Sequence, residues 1–288
     1  RHAFHAAKAG HTGTLDPAAG GLLPICLGEA TKFSHLLLDA DKPYLATLKL
    51  GIVTSTGDAE GDILERKPPV TDRETILLAL EKFRGALTQT PPMHSALKHH
   101  GVPLYEYARK GIEIERQPRC IQIHDIQLID LNDIFLKIRV HCSKGTYIRV
   151  LAADIGAALG CGASLCGLTR TQTGGLTLSH PAACTLEVLR TMTDVERLAR
   201  LLPVDTLLAI LPAIDVDAEQ AERLLLGQKL GLKAVRTVGF ARIYGPNLRF
   251  LGLVEVGEGG RTVPYRMLAQ NHETSGVMGD EILEKTPG

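Results

Sequence analysis

The 288-residue sequence predicts an α+β fold in two parts, a larger N-terminal domain and a small β-rich C-terminal one. Three observations predict it. Clean strand alternation runs over residues 136–142. Helical spacing of apolar residues runs over residues 71–87. Past Pro212 the pattern turns β-rich, basic and compact. The length itself suits two domains better than one.

The elements follow in order. The chain opens on Arg1 rather than Met, and residues 2–10 read as the tail of a helix stopped by Gly10. A preceding N-terminal piece is therefore expected. Residues 42–52 alternate loosely, as a strand ending near Gly51. Over 71–87, Thr71 and Glu74 have capping-box spacing, and Ile76, Leu80, Phe83 and Leu87 form one stripe. Residues 89–109 carry Pro91, Pro92 and Pro103 and read as loop or irregular structure. In 136–142, Leu136, Ile138, Val140 and Cys142 share one face, while Lys137, Arg139 and His141 share the other. Residues 150–159 read as a short helix stopped by Gly160. Helical patterns over 185–211 break at Pro203. A short helix over 217–226 is closed by Gly227, and residues 240–256 read as a hairpin about Gly245-Pro246-Asn247. The domains are thus expected at 1–211 and 212–268. Residues 269–288, poor in large apolar side chains, are expected to form a disordered tail.

Composition narrows the function. The hydrophobic share is 44% and the charged share 22%, ordinary for a globular protein. No window approaches 18 consecutive apolar residues, which excludes a helical membrane span. Six cysteines are too sparse for a disulfide scaffold; with no apolar leader visible, a reducing cytoplasm is expected. Basic and acidic residues balance at 32 each, but unevenly along the chain. Residues 36–65 hold 2 basic and 6 acidic side chains, a net of −4; residues 66–120 hold 10 and 6, a net of +4. Residues 231–268 hold 6 and 2, again +4. Phosphate binding needs a local positive face rather than a positive total, so nucleic acid stays open beside simple solvation of these charges.

Four segments carry candidate chemistry. In Gly10-His11-Thr12-Gly13-Thr14-Leu15-Asp16-Pro17, a carboxylate sits on a tight turn before a proline. It is either a presented nucleophile or base, or an Asx-type turn bonding nearby amides. In Ser143-Lys144-Gly145-Thr146-Tyr147-Ile148-Arg149, an extended backbone would place Tyr147 and Arg149 on one face, as an anion clamp or as a snorkelled strand end. Asp39-Ala40-Asp41-Lys42-Pro43-Tyr44 opens a strand with a tyrosine, a stacking platform or a half-buried aromatic. Between Pro91 and Arg109 basic and aromatic residues interleave, as in a loop tracking a nucleic-acid backbone or one pinned by its tyrosines. Cysteine and histidine spacings match no structural zinc site. Neither a Walker loop nor a dinucleotide fingerprint occurs.

The ordered series of motifs resembles the bacterial tRNA pseudouridine-55 synthases of the TruB type. It comprises residues 10–17, Leu-Pro-Ile-Cys-Leu-Gly-Glu-Ala-Thr-Lys at 23–32, Asp-Lys-Pro-Tyr at 41–44 and the segment 54–61. Ser-Ala-Leu-Lys at 95–98, residues 104–111 and Cys-Ser-Lys-Gly-Thr-Tyr-Ile-Arg at 142–149 complete it. Ser55 stands where the family has Asp, and His94 where it has Tyr. The family's opening strand, with its Leu-Asp-Lys-Pro-x-Gly element, is absent. The resemblance implies a pseudouridine synthase fold: a mixed, mainly antiparallel central sheet flanked by helices, plus a PUA-like RNA-binding C-terminal domain. It implies isomerisation of uridine 55 in the tRNA T-arm by a cytoplasmic monomer with no obligatory protein partner and no cofactor or metal. Asp16 is then the catalytic carboxylate, kept ionised by Arg149. Tyr44 stacks on the flipped base and Leu168 walls it. Tyr147 sits in the pocket as a further catalytic residue, assisting the final loss of the uracil C5 proton, and His11 lies beside the nucleotide. A non-catalytic tRNA-binding protein of the same fold and a guide-RNA-dependent rRNA pseudouridine synthase subunit remain as alternatives.

Overall fold

The structure, a computed structural model, describes residues 1–232 and 235–269. It divides into two units, residues 1–210 and residues from Leu211 onward.

The first unit is built on a six-stranded sheet. Its strands are β1 (Gly20–Gly21), β2 (Lys42–Leu50), β3 (Gly85–Gln89), β4 (Arg119–Asn132), β5 (Phe135–Cys142) and β6 (Ala163–Arg170). Their spatial order is β1-β6-β2-β5-β4-β3. The β1–β6 pair is parallel and every other neighbouring pair antiparallel, so the sheet is mixed and mainly antiparallel, as expected. Alternation sets the register. Leu136, Ile138, Val140 and Cys142 of β5 are fully buried, opposite Leu48, Ala46, Tyr44 and Lys42 of β2. A one-residue slip would turn that whole set to solvent. Each aliphatic side chain removed from water contributes about 1.5–3 kcal/mol, so the slip is prohibitive.

Two helices cover this face, α1 (Arg73–Glu81) through Ile76 and Leu80, and α2 (Ile148–Ala158) through Leu151 and Ile155. Gly156 lets α2 lie directly on the sheet. A Cβ there would stand 2.1 Å from the backbone nitrogen of Ala163. The C-terminal end of α2 is thereby seated against the start of β6.

Several expectations need correction. Residues 2–10 are not a helix tail: a 3-10 turn over His2–Phe4 leads to a short strand, Ala9–His11, paired with Ile25–Leu27. Helix α1 is capped by Asp72, not Thr71; the Asp72 carboxylate accepts from the Thr75 amide at 2.8 Å and hydroxyl at 2.6 Å. It stops at Glu81. Gly85 has φ +98°, and Leu87 lies on β3, so the stripe ran across a break by coincidence of spacing. Within the expected loop, Leu104–Arg109 is a helix, and Lys98–His99 pairs with Val102–Pro103. Helix α2 begins two residues early, at Ile148, so Tyr147 and Arg149 stand at a helix start and not on a strand.

The second unit holds β7 (Ala213–Asp215), α3 (Ala218–Leu225), β8 (Leu230–Gly231), β9 (Gly239–Gly245), β10 (Arg249–Val256) and β11 (Arg261–Met267). Its sheet order is β7-β9-β10-β11-β8. Asp217 caps α3, reciprocated by Gln220. The expected hairpin is β9–β10, turning at Pro246–Leu248, where Asn247 has φ 58°. Leu224, Ile243 and Val254 centre the unit's own core. The tail expected over 269–288 lies outside the described residues apart from Ala269. Among the described residues no helix is long and apolar enough to cross a membrane.

The cysteines give a direct check of this packing. Cys26, Cys142 and Cys161 are buried, whereas Cys120, Cys166 and Cys184 are exposed. Burial pushes the Cys142 thiol up to about 12 and raises that of Cys26. A thiol reagent at neutral pH should label Cys120 and Cys184 quickly in the native protein, Cys166 more slowly because burial raises its thiol as well, and the other three only after unfolding. Rapid native labelling of Cys142, read by peptide mass spectrometry, would contradict the packing of β5.

Candidate active site

The site begins with the loop that joins the Ala9–His11 strand to β1. Leu15 anchors this loop on the core, and Thr12 is fully buried beneath it. Gly13 has φ +128°, and a Cβ there would stand 3.5 Å from the Lys42 side chain and 3.6 Å from that of Arg170. Those distances are ordinary contacts; it is the positive φ that calls for glycine. The Gly13 amide donates to Nδ1 of the exposed His11 at 3.3 Å, bracing the turn. The Asp16 carbonyl accepts from the Ala19 amide at 2.9 Å, closing a turn that contains Pro17. The carboxylate is left to point elsewhere, which decides against an Asx-type turn. Its two oxygens go to Arg149: Nε donates to Oδ2 at 2.8 Å and Nη2 to Oδ1 at 3.1 Å.

Arg149 is the second residue of α2, and its side chain is 5% exposed against 40% for Asp16. The snorkelled reading is therefore wrong. A guanidinium this buried needs acceptors throughout. Nη2 also donates to the His94 carbonyl at 2.7 Å, and Nη1 lies 3.5 Å from Oδ2 of Asp58. Asp58 is held in turn by the Thr56 hydroxyl at 2.5 Å and the Glu60 amide at 3.1 Å. One cation thus joins two carboxylates, forked onto Asp16 and looser on Asp58. The start of α2 is fixed by Gln89, the buried last residue of β3. Its side-chain amide donates to the Tyr147 carbonyl at 3.1 Å and accepts from the Tyr147 amide at 2.7 Å.

Tyr44 and Leu168 come together on the core face of the sheet. Tyr44 pairs with Arg170 and Ala46 with Leu168, so all four project to one side. Tyr44 is only 8% exposed. Burial raises the Tyr44 phenol pKa, with nearby Arg170 opposing, and burial likewise raises that of Tyr147. Both phenols also lie within the field of Asp16, which adds to the rise. Each therefore stays protonated at neutral pH, a platform and proton donor and not a free base.

Four further residues build the site without having been singled out from the sequence: Asp58, Gln89, Lys42 and Arg170. Arg170 is 1% exposed. Its Nε donates to the Leu22 carbonyl at 2.7 Å and Nη2 to the Gly13 carbonyl at 3.0 Å, while its own carbonyl takes the Leu22 amide at 2.8 Å. It clasps both ends of the Asp16 loop. Lys42 is buried beneath Gly13 and donates to the carbonyls of Ala40 at 2.6 Å and Leu38 at 3.0 Å. Burial, then Arg170, lower its pKa. One signal was available: Arg170 is the single charge in an otherwise uncharged strand.

The arrangement brings together a presented carboxylate, a buried guanidinium fork and an aromatic and aliphatic wall. Three family profiles agree in sequence along the chain. "TruB family pseudouridylate synthase (N terminal domain)" matches residues 1–148. "tRNA pseudouridylate synthase B C-terminal domain" matches 149–209, and "Pseudouridine synthase II TruB, C-terminal" matches 212–268. The chain belongs to the TruB family. Its relatives named tRNA pseudouridine synthase B include one from Dechloromonas aromatica, 51% identical over 93% of this chain and 88% of the relative. Another, from Chromobacterium violaceum, is 47% identical over 93% of this chain and 88% of the relative. Among solved structures, a Cbf5-Nop10-Gar1 complex superposes with a TM-score of 0.69 at 23% identity, covering 91% of this chain and 76% of that one. An archaeal box H/ACA sRNP Nop10-Cbf5 complex gives 0.68 at 21%, covering 92% and 78%. These two share the fold.

Gln89 offers a test of how the site is braced. Gln89→Ala removes both bonds to Tyr147; the Tyr147 carbonyl keeps the Leu151 amide, but the Tyr147 amide loses its acceptor, a cost of about 1–3 kcal/mol. Denaturant unfolding should show that loss. Gln127→Ala, on the solvent side of β4, should stay within about 0.5 kcal/mol of wild type. Equal stability of both variants would remove Gln89 as the brace of α2.

Proposed function

We propose that this chain isomerises uridine 55 in the T-loop of tRNA to pseudouridine, with Asp16 as the catalytic carboxylate. The observation that carries this reading is the Asp16–Arg149 fork, opening from a buried cation onto a partly exposed carboxylate beside Tyr44, Tyr147 and Leu168. Relatives about half identical over nearly the whole chain bear the name tRNA pseudouridine synthase B. The Cbf5 complexes are less than half as similar in sequence. That contrast favours a tRNA enzyme over a guide-RNA-dependent subunit.

The chemistry matches what the pocket offers. The N1–C1′ bond breaks, the uracil turns, and C5 bonds to C1′; N1 gains a proton and C5 loses one. Nothing is oxidised and no atom is added, so a protein carboxylate suffices. Asp16 acts on the ribose, at C1′ as nucleophile or at C2′ as base. The base must leave its stack to reach it. Tyr44 offers the flipped base an aromatic face, Leu168 an apolar wall, and His11 a flank at the loop. Tyr147, whose phenol stays protonated, takes the C5 proton only as it hands its own to water, a relay and not capture by a free base. When Asp16 engages the sugar and its charge falls, Asp58 remains against the Arg149 guanidinium, which is not left unpaired.

Asp16→Asn keeps the shape and removes both roles. It should abolish pseudouridine formation on a T-arm RNA, read by mass spectrometry after cyanoethylation, while binding persists. Substantial turnover by this variant would remove Asp16 from the mechanism.

The second unit is assigned affinity and placement. Its basic surplus of 6 over 2 in residues 231–268 lies among no candidate nucleophile. Deleting residues 212–288 should weaken tRNA binding and flatten its salt dependence, since each phosphate contact contributes a slope of about −0.9 on duplex. The single-turnover rate at saturating RNA should fall by no more than about tenfold, or ~1.4 kcal/mol. A well-folded truncated protein unable to isomerise at saturation would overturn this assignment.

A further inference from the structure

Behind the strand that carries Tyr44, three metal-ligating side chains meet that are far apart in sequence. Asp41 precedes β2, His124 lies on β4, and His141 lies on β5, on the side opposite the buried Cys142 and Val140. The sheet brings them together by register. His141 pairs with Pro43 on one side and Asp125 on the other. The β4–β5 ladder shifts register between Ile123 and Asp125, and the unpaired residue of that bulge is His124. A bulge re-aims one side chain, and this one is aimed at the other two.

The ligand atoms of Asp41, His124 and His141 all lie within 4.8 Å of one another. His124 Nε2 is 3.0 Å from Asp41 Oδ2, and the two imidazole centroids are 4.8 Å apart. Metal–ligand bonds of about 2.0–2.1 Å place the donor atoms of a tetrahedral site a little over 3 Å apart, so small rotamer adjustments close this set around one ion. As a plain ion pair the arrangement is poor. One carboxylate faces two imidazoles, and its one close contact, 3.0 Å, is to His124 alone. A shared cation uses the lone pairs of all three. The nearby ionic groups are otherwise engaged: Asp125 binds Arg84, Lys144 pairs with Asp39, and the Lys42 ammonium points into the Leu38 and Ala40 carbonyls.

We propose that Asp41, His124 and His141 bind one divalent transition-metal ion of borderline softness, of the zinc type. Two imidazoles and a carboxylate favour such ions over magnesium or calcium, which take oxygen ligands. Three protein ligands leave one position for water. The ion ties the start of β2 to β4 and β5, and so stiffens the strand end that carries Tyr44. The site is independent of the reaction assigned to Asp16.

The test uses the whole chain, stripped with a chelator and titrated with Zn²⁺ against a chromophoric zinc indicator. Wild type should take up one tight equivalent. Asp41→Asn, His124→Asn and His141→Asn should each weaken it by about tenfold or more, and the His124→Asn/His141→Asn double variant should abolish it. Melting curves recorded without metal establish that the variants fold. One equivalent of Zn²⁺ should raise the wild-type Tm and leave the double variant unmoved. Paramagnetic broadening by Co²⁺ in NMR spectra should centre on His124 and His141. Equal zinc affinity in wild type and double variant, or broadening centred on other histidines, would overturn the proposal.

Discussion

Arg149 holds a full charge almost out of water, and a guanidinium in that position is stable only while every direction of its fork meets an acceptor. Much of the first unit is arranged to supply them. The Asp16 loop arrives from one side, the His94 carbonyl from a second, and Asp58 from a third. Because the charge sits on the first turn of α2, those partners work only if α2 starts in one place. Gln89 grips the Tyr147 peptide there, and Gly156 allows the helix to seat on β6. Breaking one arm of such a network leaves the buried charge short of a partner. The network therefore stands or falls as a unit.

A second buried arginine does for the loop what the first does for the carboxylate. Arg170 bonds carbonyls at both ends of the Asp16 segment, and Lys42 fills the space beneath Gly13. The loop carries the Asp16 carboxylate in the open while its backbone is held from below. This reconciles a carboxylate accessible to a ribose with a geometry that does not wander. The two raised phenols fit the same logic, since burial that keeps Tyr44 and Tyr147 neutral also makes them a suitable wall for a base.

What could be read in the sequence was what depends on local periodicity or on a contiguous motif. The alternation of β5 is reproduced residue for residue, because a strand buried on one face admits no other register. The hairpin of the second unit and the Asp217 helix were legible through their turn and cap residues. Errors fell where two signals overlapped. The α1 stripe ran on through Gly85 into β3, and Tyr147 to Arg149 seemed to continue a strand, although the helix had begun. Asp16, Arg149 and Tyr44 were accessible because they lie in recognisable segments, and Leu168 only through the family resemblance. Gln89, Arg170 and the Asp41–His124–His141 group were not, because their roles arise from contacts between residues tens of positions apart. No spacing rule sees across a sheet.

The central claim is geometric: Asp16 works because a forked, buried cation holds both its oxygens. Arg149→Lys separates geometry from charge, since lysine keeps the positive charge as a point and loses the fork. Single-turnover rates on a T-arm RNA, measured beside RNA affinity, test this most directly. The account expects the rate to fall by about 100-fold or more, ~2.7 kcal/mol, with affinity nearly unchanged. A lysine variant within a few-fold of wild type would show that a nearby charge is enough and that the fork is not what places the carboxylate.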